Sequence, residues 1–221
     1  MKIGFLELSH VFANQVKLPY STGCVWSHCK TVDEISNHFS FDVSDWFYAL
    51  DGSLDVTDTA QKLSQCDVIG VAYFVWNTHI SDRICAEIKK INSNCLIVYG
   101  GLGTPKYGRC EDFLLERSFI DVIVHNEGEI VFENLLKAII HNNDFSNVKG
   151  ITTHKFQTPL EERIKNISEM PSPYLDGLFD DLIAIKNHDY EWESLIELER
   201  GCPYTCTFCE VGDRPVSYTH L

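Results

Sequence analysis

The chain has 221 residues, of which 44% are hydrophobic and 23% are charged, and this balance excludes a disordered or low-complexity protein. The length exceeds one average domain of about 150 residues, so one complete domain followed by part of a second is expected. Acidic residues outnumber Lys and Arg by 32 to 18, which gives a net charge of −14 and argues against binding to the phosphate backbone of nucleic acids.

The sequence lacks the patterns of membrane-spanning and export segments. No apolar run approaches the ~20 residues that cross a bilayer. The first residues, Met1 to Glu7, include an acid within their apolar stretch and no small-residue cleavage site. We therefore expect a cytoplasmic protein without a membrane partner.

Strands and helices are predicted to alternate over residues 1–150. Apolar runs typical of strands buried on both faces of a parallel sheet alternate with amphipathic stretches of helical period. Pro19 lies near the first turn of the first helix, which Ser21 or Thr22 is expected to cap, and Asn77 or Thr78 is expected to cap a later one. The predicted strands are 2–8, 39–48, 67–75, 95–99 and 120–124. The first predicted helix begins at Leu18, and the later ones cover 58–65, 78–91, 111–117 and 128–140. This order predicts an α/β fold whose ligands bind at the carboxyl ends of the strands.

The rest of the chain is less regular. Residues 148–156 predict an extra strand or hairpin, and the prolines near residue 171 argue against a regular helix there. A new strand is predicted at 195–199. We therefore divide the chain into a first domain (1–150), a hairpin and linker (151–193) and the start of a second domain (194–221).

Three of the nine cysteines form a cluster with the spacing CxxxCxxC, within Arg200 to Cys209. Three thiolates from one tight loop can hold three irons of a cubane cluster and leave the fourth iron open. A zinc site is the alternative, but zinc in structural sites usually has four protein ligands and only His220 lies downstream. The other six cysteines are predicted to be buried free thiols: Cys24, Cys29, Cys66, Cys85, Cys95 and Cys110.

This motif resembles the cluster motif of the radical S-adenosylmethionine (SAM) superfamily. The resemblance implies that Cys202, Cys206 and Cys209 ligate a 4Fe-4S cluster, that S-adenosyl-L-methionine chelates the open iron, and that Phe208 lies beside the adenine. It further implies reductive cleavage of SAM to a 5′-deoxyadenosyl radical, an electron donor such as flavodoxin or ferredoxin, and a small-molecule or peptide substrate.

Segments upstream resemble the cobalamin-binding domain that precedes many radical SAM domains. They are Leu18–Gly23, Val75–Asn77, Val98–Gly101 with Pro105, Asp121–Glu129 and Leu178–Asp180. The resemblance implies a flavodoxin- or Rossmann-like parallel sheet of the cobalamin-binding type, with glycines that let the flat corrin approach the backbone closely. The alternative is that these residues are only turns and caps of such a sheet. The implied cofactor contacts are Ser9, His10, Pro19, Ser21, Tyr73, Val75, Trp76, Asn77, Gly100, Gly101, Glu127, Gly128 and Glu129.

One departure from the family concerns the lower ligand of cobalt. Many such domains carry D-x-H-x-x-G, but Leu8 and Ala13 stand where the Asp and Gly would flank His10. We therefore expect cobalamin to bind without a protein imidazole, with His10 as cobalt ligand the open alternative. Glu127 and Glu129 could form an acid–base pair, but complementing a helix N-terminus is favoured.

The 12 residues after Cys209 are too few for a partial β/α barrel of some six repeats. We therefore expect an amino-terminal fragment that ends in the first strand and cluster loop of a truncated radical SAM barrel. The expected function is that of a cobalamin-dependent radical SAM enzyme, a methyltransferase, with the fragment itself inactive. A non-enzymatic cobalamin-binding or sensor module, and rearrangement or cyclisation instead of methylation, stay open. A tRNA-methylthiolating enzyme is disfavoured by the charge and by the scattered cysteines.

Overall fold

The computed structural model describes residues 1–141, 144–185, 189–202, 204 and 206, and the backbone of 217–218. The strands are β1 (Lys2–His10), β2 (Gln15–Lys17), β3 (Ser40–Leu50), β4 (Val68–Ala72), β5 (Leu96–Gly100), β6 (Val122–Val124), β7 (Ile151–Thr153), β8 (Glu191–Glu193), β9 (Glu199–Arg200) and β10 (Ser217–Tyr218). The helices are α1 (Tyr20–Cys29), α2 (Asp33–His38), α3 (Val56–Leu63), α4 (Thr78–Ile91), α5 (Glu111–Glu116), α6 (Gly128–His141) and α7 (Asp180–Ala184), with a 3-10 turn at Ile167–Glu169.

Six strands form one sheet in the order β3-β1-β4-β5-β6-β7. The first five are parallel, and β7 runs antiparallel to β6. Counted among themselves, the parallel strands have the order 2-1-3-4-5 of flavodoxin-like sheets. The predicted α/β fold is therefore confirmed, and the strand order reverses between β1 and β4.

Helices cover both faces of this sheet. Successive side chains of a strand point to opposite faces, so Val98 joins one core while its neighbours Ile97 and Tyr99 join the other. Helices α1, α2, α6 and α7 supply the core on the face of Val98, and α3, α4 and α5 supply the other. None of the helices in the described part of the chain combines the length and apolar character needed to cross a membrane.

Several boundaries differ from the prediction. Strand β4 ends at Ala72 rather than at residue 75, because the chain turns there and the side-chain oxygen of Asn77 accepts the N–H of Phe74 at 2.9 Å. The short elements β2 and α2 were not predicted. The strand expected at 195–199 is the two-residue β9, which pairs antiparallel with β10.

Much of segment 151–193 packs onto the first domain. Strand β7 completes the large sheet, and β8 pairs in parallel with β2. Phe179 is buried, with its ring stacked on Trp46 at 5.6 Å between centroids. A domain boundary at residue 150 would therefore separate β7 from its sheet and Phe179 from its core.

Candidate functional site

A cleft opens at the carboxyl ends of β1 and β4, where the strand order reverses. Its cavity measures about 160 Å³. Its walls are formed by residues 7–9, 17–19 and 21, and by Phe74, Trp76 and Leu195. The crevice at such a switch point is where flavodoxin-like sheets bind ligands. The fold thus brings together four of the predicted site residues: Ser9, Pro19, Ser21 and Trp76.

Beside the cleft, the loops after β4 and β5 expose an apolar shelf, defined here as Val75, Trp76 and Leu102. Their exposed fractions are 79%, 52% and 55%. The Trp76 ring stacks on Phe74 at 4.7 Å, and its Nε1 donates to the carbonyl of Leu8 at 3.2 Å, so the indole is held in place. Large exposed apolar groups held by the fold indicate a binding surface.

Two of the predicted contact residues are committed to the fold. Asn77 is 1% exposed, and its Nδ2 donates to the carbonyls of Leu8 and Ala72 at 3.3 and 2.9 Å. Its side chain therefore ties β1 to the end of β4 instead of capping α4. Tyr73 is also 1% exposed, and its hydroxyl donates to Asp82 at 3.2 Å beneath α4, so its side chain faces the core and not the shelf.

The predicted glycines serve different purposes. Gly101 has a φ of +106°, and a Cβ there would lie 2.8 Å from the carbonyl oxygen of Tyr73. A Cβ on Gly128 would lie 3.1 Å from a methyl of Val25. Gly101 is therefore required by its backbone conformation and by contact with the chain, Gly128 is in tight contact with Val25, and Gly100 meets only Val124, at 3.9 Å.

The N-terminus of α1 is capped from outside the helix. Glu7, a buried residue of β1, accepts the N–H groups of Ser21 and Thr22 at 3.2 and 2.7 Å and the Thr22 hydroxyl at 2.6 Å. Pro19 is the N-cap and contributes no side-chain hydrogen bond, so the predicted capping by Ser21 or Thr22 is wrong. The amides that could have bound a ligand there are occupied by Glu7.

Arg200 of β9 meets the two glutamates at the start of α6. Its Nη2 lies 2.7 Å from Oε1 of Glu129, its Nη1 lies 3.9 Å from Oε1 of Glu127, and its Nε lies 2.9 Å from Oε2 of Glu197. Glu127 also binds Arg163 and the N–H of Ile164. The predicted site residues Glu127 and Glu129 therefore form ion pairs with arginines of the same chain.

The cysteines fall into two groups. Cys202 is half-buried and Cys206 is exposed, while Cys209 and Phe208 lie outside the described residues. The six scattered cysteines are all buried free thiols, as predicted. Burial raises the thiol pKa to about 12 in four of these: Cys24, Cys66, Cys85 and Cys95. Buried, protonated thiols are poor ligands for metals, and among the described cysteines the accessible ones are Cys202 and Cys206 of the predicted motif.

His10 ends β1 and is exposed. It pairs in register with Leu50 on β3, and it does not line the cleft between β1 and β4. Its neighbour Ser9 does line the cleft.

No family model matches the chain. It is 31% identical over 187 residues to a 2-(S-pantetheinyl)-carbapenam-3-carboxylate methyltransferase of Streptantibioticus cattleyicolor, an alignment that covers 82% of this chain and 27% of the relative. It is 28% identical over 206 residues to the cobalamin-dependent radical SAM methyltransferase TokK of Streptomyces tokunonensis, covering 90% and 29%. The chain is a relative of the cobalamin-dependent radical SAM proteins. It spans less than a third of the length of these curated relatives.

A third relative catalyses a different reaction. The chain is 32% identical over 135 residues to an anaerobic magnesium-protoporphyrin IX monomethyl ester cyclase of Synechocystis, covering 58% of this chain and 25% of the cyclase. These relatives confirm the resemblance that the sequence motifs predict.

The sequence-based site prediction omits Glu7 and Arg200, and also Leu102 of the shelf. An acid in the middle of an apolar strand was a signal for Glu7, because a buried carboxylate needs hydrogen-bond partners. For Arg200, its place two residues before Cys202 was the signal.

Proposed function

We propose that this chain binds cobalamin and carries the cluster-ligating cysteines of a radical SAM methyltransferase. The observation that carries the proposal is the apolar shelf beside the switch-point cleft of a flavodoxin-like sheet. It occurs in a chain that aligns over 90% of its length with a cobalamin-dependent radical SAM methyltransferase.

The shelf and its shallow cleft suit a large flat ligand that lies on the surface better than a ligand that a pocket encloses. A cavity of about 160 Å³ is smaller than the roughly 300–1,000 Å³ of pockets that enclose drug-sized ligands. A corrin ring would therefore lie on Val75, Trp76 and Leu102, with a substituent in the cleft beside Ser9. Gly100, whose missing side chain leaves open space, fits such an approach.

The cluster is assigned to Cys202, Cys206 and Cys209, with Phe208 beside the adenine of S-adenosyl-L-methionine. The accessibility of Cys202 and Cys206, against six buried cysteines, supports this choice. When bound, the 4Fe-4S cluster supplies the electron for cleavage of SAM, and cobalamin supplies the methyl group for a small-molecule or peptide substrate. The electron donor in this proposal is a flavodoxin or ferredoxin. Segment 194–221 is proposed to begin the radical SAM domain.

Binding of hydroxocobalamin to Trp76→Asp tests the shelf. Equilibrium dialysis should show stoichiometric binding to the wild type and at least about tenfold weaker binding to the variant, because the change places a charge under the ring. Leu175→Asp is the matched control, since Leu175 is 92% exposed and does not line the cleft. Equal weakening in both variants, or no binding to the wild type, would contradict the shelf assignment. His10→Ala should leave the electron paramagnetic resonance (EPR) spectrum of bound Co(II) unchanged.

Anaerobic reconstitution with iron and sulfide tests the cysteine assignment. The wild type should bind iron, up to about four per chain, and Cys206→Ala should abolish binding because two thiolates hold a cubane poorly. Cys95→Ala removes a buried thiol and should leave the iron content unchanged. Stoichiometric zinc in place of iron, retained against a chelator, would overturn the radical SAM assignment.

The cyclase relative supports a second candidate, a rearrangement or cyclisation in place of methyl transfer. The two candidates differ in the fate of the methyl group of SAM. Incubation with SAM labelled in that methyl group would place the label in the product of a methyltransferase and leave the product of a cyclase unlabelled.

A further inference from the structure

Arg200 joins two parts of the chain that are far apart in sequence. Its guanidinium contacts Glu129 in the first turn of α6, Glu127 just before that helix, and Glu197 of its own segment. The side chains of Arg200, Glu127 and Glu129 are 13%, 12% and 5% exposed. This is a largely buried, charge-assisted contact between the cysteine segment and the carboxyl edge of the sheet.

Such a contact is expensive to break. Burial alone would lower the pKa of Arg200, but the carboxylates of Glu129 and Glu197 outweigh it and raise the pKa further above its ordinary value. Loss of the guanidinium would leave Glu129 with an uncompensated buried charge, and removing one partner of a buried pair is strongly destabilising. The contact therefore holds the segment at one place on the sheet.

The chain between this anchor and the first cysteine is short and sharply bent. Gly201 has a φ of +97°, a conformation that side chains disfavour, and Cys202 follows directly. A second anchor lies upstream, where the Tyr174 hydroxyl donates to the carbonyl of Leu195 at 2.8 Å and accepts its N–H at 2.9 Å. The start of the cysteine loop is thus held on both sides of residues 196–199.

We propose that Arg200 is a positioning residue, which locks the cysteine loop to the first turn of α6 and so sets the place of Cys202 relative to the switch-point cleft. The identity of the cofactors bound by the loop and by the cleft rests on the proposed function. The docking of the loop against α6 is independent of that function. The role is one of geometry: Arg200 touches neither the metal nor the ligand in this scheme.

Hydrogen–deuterium exchange of the full chain without cofactors tests the docking. Arg200→Gln and Glu129→Gln should each speed exchange at least about tenfold in two peptides, one covering 195–202 and one covering 126–132. Peptides from α3 and α4 should not change, and Arg200→Lys should restore part of the protection. Arg117→Gln is the matched control, because it removes an arginine–carboxylate pair, with Asp82, from the opposite face.

Unchanged exchange at 126–132 in Arg200→Gln would overturn the proposal. So would faster exchange throughout the chain in both Arg200→Gln and Glu129→Gln, because the contact would then be a general stabiliser of the fold. Both outcomes are read without any cofactor.

A second measurement tests the positioning role after loading with iron, sulfide and hydroxocobalamin. The EPR signal of Co(II) should be broadened by the nearby reduced cluster in the wild type, and less so in Arg200→Gln at equal cobalt and iron content. Equal broadening at equal loading would overturn the positioning role. Failure of the wild type to load either cofactor would count against the proposed function alone, since the exchange measurement still decides the docking.

Discussion

Glu7 is a buried acid that stabilises the arrangement of β1 and α1. Its carboxylate accepts two backbone N–H groups and one hydroxyl from the first turn of α1, and Trp46 Nε1 donates to the same Thr22 hydroxyl at 3.0 Å. One side chain therefore fixes both a helix start and one wall of the cleft.

The stability of the protein should depend on pH through Glu7. Burial raises its pKa above the ordinary value of 4.5, although hydrogen bonds from Thr22 and Ser21 act in the opposite direction. The folded state then holds a proton on Glu7 more tightly than the unfolded chain does. Protonated Glu7 therefore contributes its full stabilisation of the folded state below pH 4.5, and this contribution is lost as the pH rises through the raised pKa. The glutamine of the Glu7→Gln variant does not titrate. The free energy of unfolding of this variant, minus that of the wild type, should therefore rise as the pH increases from 4.5 through the raised pKa of Glu7.

Urea unfolding at a series of pH values measures this difference. The exposed Glu162→Gln serves as the control for loss of one negative charge. A difference between Glu7→Gln and the wild type that falls with rising pH would contradict the assignment.

Helix α1 and the segment around Phe179 depend on each other. Gly23 lies in the middle of α1, where glycine costs about 0.5–1 kcal/mol relative to alanine. A Cβ at this position would lie 2.8 Å from Cζ of Phe179, which is 1% exposed. Glycine at position 23 therefore weakens the helix but leaves the space that the Phe179 ring needs to pack against it.

Gly23→Ala should therefore destabilise the protein, by about 1–3 kcal/mol, despite the better helix propensity of alanine. The cause is overpacking against Phe179, so the double variant Gly23→Ala/Phe179→Leu should lose less than the sum of its single changes. Denaturant unfolding of the wild type, the two single variants and the double variant gives the coupling free energy between positions 23 and 179. Strict additivity, or stabilisation by Gly23→Ala, would show that the ring moves aside at no cost.

At the scale of the whole molecule, residues 156–193 contribute to the stability of the first domain. Phe179 and Leu182 belong to the core between α1, α6 and the sheet, and the hydroxyl of Tyr107 donates to the carbonyl of Thr158 at 3.0 Å. A chain of residues 1–155 would lose these contacts, and removal of a buried Phe alone costs about 3–5 kcal/mol.

A chain of residues 1–193 should consequently unfold at a higher urea concentration than one of residues 1–155. Both keep the complete six-stranded sheet, so the difference isolates the covering segment. Equal midpoints would show that residues 156–193 act only as a linker.

The sequence by itself determined the main strands and helices of the large sheet and the burial of its central strands. The continuous apolar run that contains Ile97 and Val98 indicated a strand buried on both faces, and these two side chains do enter opposite cores. It also indicated buried cysteines such as Cys85, because the apolar setting of that residue between Ile84 and Ala86 is local in the chain. Periodicity and spacing are properties of neighbouring residues, and a single sequence displays them directly.

Only the tertiary structure decided the partners of the polar groups at the candidate site. Asn77 binds the carbonyl of Leu8, 69 residues away, and Thr22 binds Glu7, 15 residues away. Arg200 likewise finds Glu129, 71 residues earlier in the chain, only because β9 lies beside the first turn of α6. Such pairings depend on the order of strands in the sheet and on how later segments fold back, and the local period of hydrophobic residues carries no information about either.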